Sequence, residues 1–172
     1  MHADKHCVKM ILEYAQLLST AHRVLDGALY RTVSASGRQK TVYRLPDARD
    51  SILYSATHIN HPSAIWVRLS WDNYVWLDKL LIQLCKEYTY RYGRVHKVES
   101  SGLLEALYRP PIALSATKNL TLFSEPTPAM PDTYKVRGDS ISSYRNYYNG
   151  GKQHLASWKK RPIPEWFNSQ NA

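Results

Sequence analysis

Apolar side chains recur at three- and four-residue steps from Asp4 to Arg23: Val8, Ile11, Leu12, Ala15 and Leu18, widened by Met10, Tyr14 and Leu17. That spacing predicts an amphipathic helix. Asp4 is expected to cap its start and Gly27 to stop it. One narrow polar row is left over: His6, Lys9, Glu13, Gln16, Thr20 and Arg23. Steps of three and four residues put these side chains on one face. The row is either the solvated side of a core helix or the lining of a cleft. Apolar residues cover most of the circumference, so the second reading predicts polar contents facing the row.

A second helix is predicted from Trp71 to Arg91. Ser70 is its cap, Gly93 its stop, and Tyr74, Leu77, Leu81, Leu84, Cys85 and Tyr88 its apolar file. The two long helices should pack together. Between them, the β-prone runs Tyr30–Val33 and Thr41–Tyr43 flank Ser36-Gly37, so residues 28–45 read as a hairpin flap. Residues 50–56 suggest a short helix. Pro62 suits the first turn of another, with His61 restricted before it. Ser100 is expected to cap a short helix through Leu107. Residues 109–138 lack periodicity and predict a long, ordered surface loop. Asp139 is placed to cap a helix to about Asn149 that resumes after Gly150-Gly151.

With 172 residues and no internal repeat, the chain is long enough for one core. The expected fold is a single, mainly α domain, 1–172, with a small β flap and long irregular loops, ending in a basic, aromatic segment over residues 139–172. No stretch approaches the ~20 apolar residues of a membrane span. The opening residues are charged and lack the apolar centre of a secretory leader. Cys7 and Cys85 both fall inside helical patterns and read as small buried hydrophobes. A cytoplasmic or nucleoid setting is expected, with no membrane partner.

Charge sharpens the functional reading. The net charge is +9 and the isoelectric point about 9.6, which favours an anionic partner, nucleic acid ahead of membrane. Arg31, Arg38, Lys40 and Arg44 make the flap basic. From Tyr134 to Arg161 seven cations stand against one carboxylate, Asp139, and five Tyr or Trp rings interleave with them. Phosphate neutralisation together with base stacking on aromatic rings is the usual physics of nucleic-acid binding. The alternative is that the rings pack inward and the cations stay solvated.

Catalytic signals are sparse. There is no nucleophile elbow, Walker loop or dinucleotide fingerprint. His58 and His61 form an H-x-x-H pair, but Pro62 sets them ahead of a helix and no further ligand stands near, so no metal or other cofactor is expected. Glu13 with His6 and Lys9 remains. Such a carboxylate can stabilise a sugar oxocarbenium ion, and a desolvated lysine can form a Schiff base. As a structural pair, Lys9 and Glu13 would form an i,i+4 salt bridge.

Three phrases resemble the small helical pyrimidine-dimer DNA glycosylases of the phage endonuclease V type. Ala3-Asp4-Lys5-His6, with Glu13 seven residues after the histidine, is similar to that family's A-D-x-H phrase and catalytic glutamate. His61-Pro62 through Arg91-Tyr92-Gly93 is similar to its His-led segment and long helix. Tyr144-Arg145-Asn146-Tyr147-Tyr148 with Gly151-Lys152 is similar to its aromatic, basic DNA-facing phrase. The opening phrase also resembles uncharacterised phage-encoded proteins. The family attacks the sugar with its N-terminal amine on a longer lead-in, whereas five residues precede His6 here, and its arginine before the glutamate is Leu12. Lys9 is the remaining candidate amine.

The resemblance implies an enzyme that acts on the N-glycosidic bond of a damaged or modified pyrimidine in double-stranded DNA. Glu13, His6 and Lys9 would be catalytic. Arg31, Arg38, Lys40, His61, Arg68, Arg91, Arg145, Tyr147, Tyr148 and Lys152 would hold the DNA. The alternatives are a non-catalytic nucleic-acid-binding protein and a nucleotide-processing enzyme.

Overall fold

The computed structural model describes residues 2–116, 118 and 122–168. Two long helices, α1 (Asp4–Asp26) and α4 (Trp71–Tyr92), form its spine. Ile11 and Leu18 from α1 meet Tyr74 and Leu81 from α4 in the main core, all fully buried. Each aliphatic side chain so buried contributes roughly 1.5–3 kcal/mol. Shorter helices close the core: α3 (Pro62–Val67) with Trp66 and Val67, and α6 (Leu103–Leu107) with Leu103 and Leu107. The architecture is mainly α with one small hairpin, as the periodicity predicts. None of the described helices is long and apolar enough to cross a membrane.

The helix ends follow local chemistry where local chemistry is strong. Ser70 accepts the Asn73 N–H at the start of α4, and Gly93 ends it in a left-handed conformation. His61 caps α3 through its ring, with Pro62 in the first turn. Gly27 ends α1 for a packing reason: a Cβ there would lie 2.3 Å from the Arg23 carbonyl oxygen. The chain then enters β1 (Ala28–Val33), antiparallel to β2 (Gln39–Arg44), with Tyr30 opposite Val42 and Thr32 opposite Lys40. The helix predicted over 50–56 shrinks to α2 (Arg49–Ile52).

Three expectations need correction here. Asp4 is not the N-cap of α1; Ala3 holds that position and provides no side-chain cap. The Asp4 carboxylate instead takes hydrogen bonds from Arg91, the Ser157 hydroxyl and the Lys159 N–H, so it ties the start of α1 to α4 and to the C-terminal segment. Ser100 ends α5 (Lys97–Ser100) rather than capping a helix, because His96 accepts the Val98 N–H one turn earlier. Gly150 and Gly151 are the last two residues of α8 (Ser140–Gly151) rather than a break, and only a 3-10 turn, Gln153–Leu155, follows Lys152. A Cβ on Gly150 would come within 2.4 Å of the Tyr134 ring, and one on Gly151 within 2.6 Å of the Tyr147 ring, so the glycines make room for aromatic packing.

Asp139 does cap α8, accepting the Ser142 N–H. Between α6 and α8 the chain has the short helix α7 (Ile112–Ser115) and a 3-10 turn at Asp132–Tyr134, and is otherwise irregular over the described residues. A smaller core of Ala3, Tyr148 and Trp158, with Trp166 and Phe167 against it, joins α8 and the C-terminal segment to the start of α1.

Candidate functional site

The polar row on α1 does not face one hollow. It divides near Gln16. Thr20 and Arg23 are buried against the 43–57 segment. His6, Lys9, Glu13 and Gln16 stay partly or wholly open. The apolar surface is also narrower than its spacing predicts, since Val8 and Leu12 are 41% and 42% exposed.

The open half meets α8. The Tyr148 hydroxyl accepts the Ala3 N–H and is hydrogen-bonded to His6 Nδ1. Burial holds the His6 pKa below the ordinary histidine value, and the nearby Lys152 and Lys9 push it further down against the pull of Glu13. The ring is therefore neutral at neutral pH. Nδ1 is engaged with Tyr148, which leaves Nε2 without a partner among the described residues. Glu13 is 39% exposed and pairs with Lys9, 69% exposed, at 3.0 Å. Tyr14 and Tyr144 lie within electrostatic reach of Glu13. Lys152 sits 5.2 Å over the Tyr147 ring, which itself packs on Tyr134 with centroids 5.0 Å apart.

One imidazole, two ammonium groups and one carboxylate thus share a face whose edges are tyrosine rings. The cations suit phosphate oxygens. The carboxylate suits a carbon that gains positive charge. Helix α8 brings its part of the face by packing Tyr148 onto Ala3.

The other predicted contacts are scattered. Arg31, Arg38 and Lys40 are exposed on the hairpin, beyond the opposite end of α1. Glu13 and Arg23 alone are ten residues apart, about 15 Å along the helix. His61 is exposed but its Nδ1 is engaged in capping, and Arg68 donates to the Ala64 carbonyl oxygen. Arg145 lies 5.8 Å over the Trp166 ring.

Two assignments are corrected. Arg91 is fully buried, bonded to Glu87, Asp4 and the His2 carbonyl, and has no surface to offer a nucleic acid. Tyr148 is 8% exposed, so its ring packs inside and cannot stack on a base. Its part is to orient His6. Lys9, exposed, stands as the ion-pair partner of Glu13 at 3.0 Å.

Residues not anticipated at this face are Tyr14 and His2. Tyr14 reads as part of an apolar stripe, but its hydroxyl bonds His2 Nε2 at 2.8 Å. Its place next to Glu13 in the chain was the available signal.

Among the described residues, no group of three His, Cys, Asp or Glu side chains gathers as a metal site would require. Both cysteines are free and buried, and burial raises their thiols to about 11 for Cys7 and about 12 for Cys85. Compared with known proteins, the chain matches no family model, no curated protein and no solved structure.

Proposed function

We propose that the protein is a DNA-associated enzyme acting on a nucleobase N-glycosidic bond, with Glu13 as the catalytic carboxylate. The observation that carries this reading is the convergence of Glu13 and His6 from α1 with Lys152, at the C-terminal cap of α8, on one open, cationic face. The short phrases similar to the dimer glycosylases support it. Glu13 would stabilise positive charge on C1′ as the base departs with the bonding electrons. His6 Nε2 and Lys152 would hold a flanking phosphate, and Tyr147 would contact a base. A base must leave the stack to be reached, and the tyrosines at the edge of the face suit that step. The ion-paired state of Lys9 favours water over a lysine amine as the attacking group.

A non-catalytic nucleic-acid-binding role is the second reading. The Lys9–Glu13 pair favours it, because an exposed i,i+4 bridge needs no further purpose. Base release from duplex DNA carrying varied pyrimidine modifications tests the enzyme reading. Release of a free base from at least one substrate is expected, with no borohydride-trapped adduct. Binding with no release across the panel would leave the non-catalytic role.

A further inference from the structure

A cleft of about 810 Å³ lies between the hairpin and the 53–59 segment, at the end of α1 away from Glu13. We propose that it binds a nucleoside phosphate. This assignment does not depend on the glycosidase reading.

The cleft falls in the size range of small-molecule sites. Val42 and Ile59 supply an apolar wall, and Lys40, Arg44 and His58 line it with polar groups; in the hairpin register Lys40, Val42 and Arg44 project from one face. Three cations and one carboxylate contribute, because Arg23 and Asp50 are also in the lining, and two positive charges are left over. Arg23 is held by the surrounding carbonyls and by Asp50, and Arg44 also bonds Asp50. The Lys40 side chain is exposed and has no ion pair or hydrogen bond among the described residues. It is the cation with its donors still available.

His58 adds a second polar side chain. Its Nδ1 bonds the Thr57 hydroxyl at 2.7 Å, so Nε2 is left over. Its backbone is left-handed, with φ 46°, and the turn is fixed by the His61 N–H donating to the His58 carbonyl oxygen. A non-glycine residue kept in that region beside a cleft is the kind of local strain that gathers at binding sites.

The hairpin supplies the last observation. All six residues of β1 are exposed, including Leu29 at 60% and Val33 at 62%. A two-stranded ribbon so poorly buried gains little stability alone. It is anchored at its root, where Arg23 donates to the Tyr43 carbonyl oxygen and Arg44 reaches Asp50. A ligand with a flat, partly apolar base and an anionic phosphate would lie against Val42 and Ile59 while engaging Lys40 and His58. Such a group can arrive as a free nucleotide or as one unit of a strand.

Calorimetric titration of the full chain with thymidine monophosphate, thymidine, inorganic phosphate and a short DNA duplex tests this. Thymidine monophosphate is expected to bind, with thymidine and phosphate each about tenfold weaker or less avid still. Lys40→Ala, and His58→Asn, which tolerates the left-handed backbone, should each weaken the nucleotide about tenfold. Lys86→Ala on the exposed face of α4 serves as the control and should change nothing. A duplex that displaces the nucleotide identifies the strand as its source; a duplex that does not identifies the free nucleotide. Absence of nucleotide binding, or binding insensitive to both hairpin-cleft variants while circular dichroism reports an intact fold, would overturn the proposal.

Discussion

Toward its C-terminal end α1 presents Thr20, His22, Arg23 and Asp26; toward its N-terminal end it presents His6, Lys9, Glu13 and Gln16. The two sets share residue types, and differ in whether their hydrogen bonds are already made. Arg23 is 5% exposed and all of its N–H groups have partners: carbonyls of Tyr43, Asp50, Leu53 and Tyr54, and the Asp50 carboxylate. His22 is 1% exposed and sits between Tyr74 and Arg49. Tyr74 donates its only proton to the Leu107 carbonyl oxygen, so His22 Nε2 is the protonated nitrogen and Nδ1 accepts from Arg49. Asp26 takes Arg49 and the N–H groups of Ile112 and Ala113. In the open half, His6 Nε2, Lys9 and Glu13 keep capacity for something outside the protein. A closed polar network stabilises the fold; an open one is available for binding and chemistry.

That comparison is broken most severely at Arg23. Arg23→Met leaves Asp50 and several carbonyls without their partner, and should cost about 3–5 kcal/mol in urea unfolding. DNA affinity of the folded fraction should be unchanged. Lysine at this position should not restore the stability, since one ammonium cannot reproduce the planar set of donors.

The next effect is at His22. Burial, aided by Arg49, lowers its pKa from 6.5 to about 4. Between those values the unfolded chain takes up a proton that the fold refuses. Stability contributed by His22 is therefore present above pH 6.5 and lost as pH falls toward 4. Burial lowers His2 to about 4 as well, in the same sense. Asp78 opposes them: burial raises it from 3.8 to about 6, so the fold takes up its proton first as pH drops. His22→Gln should cost about 1–3 kcal/mol at pH 7. The difference between wild type and variant, followed by thermal unfolding, should shrink between pH 6.5 and 4.

Smaller effects belong to the open half. Lys152→Ala should weaken duplex DNA binding across sequences and lower the slope of log affinity against log salt by about one. Unfolding should barely move. Lys9→Ala should change stability by no more than about 0.5 kcal/mol, as for other exposed i,i+4 pairs. A larger loss would mean that Lys9 is part of the structural network after all.

Much of the fold was legible because its signals are local. Ser70 and Gly93 bracket α4, Asp139 caps α8, and Ser36-Gly37 marks the hairpin. What was not legible depends on partners far along the chain. Arg91 reads as one of a basic cluster past a helix end, yet Asp4, 87 residues away, draws it inside. The same contact takes Asp4 from its expected capping role. Gly150-Gly151 reads as a break, and only the Tyr134 and Tyr147 rings reveal why the helix continues. For the site, spacing identified the row on α1 and composition identified α8 as its basic neighbour. Neither could say that the row divides, because periodicity reports a face and not what covers it.

The central claim is that the open half of α1 performs chemistry and the closed half does not. Single-turnover base release and duplex affinity, measured side by side for wild type and Glu13→Gln, test it most directly. The account predicts that release falls by about a hundredfold or more, the scale of a lost catalytic carboxylate, while affinity stays within about threefold. Release that persists at the wild-type rate in Glu13→Gln would contradict it.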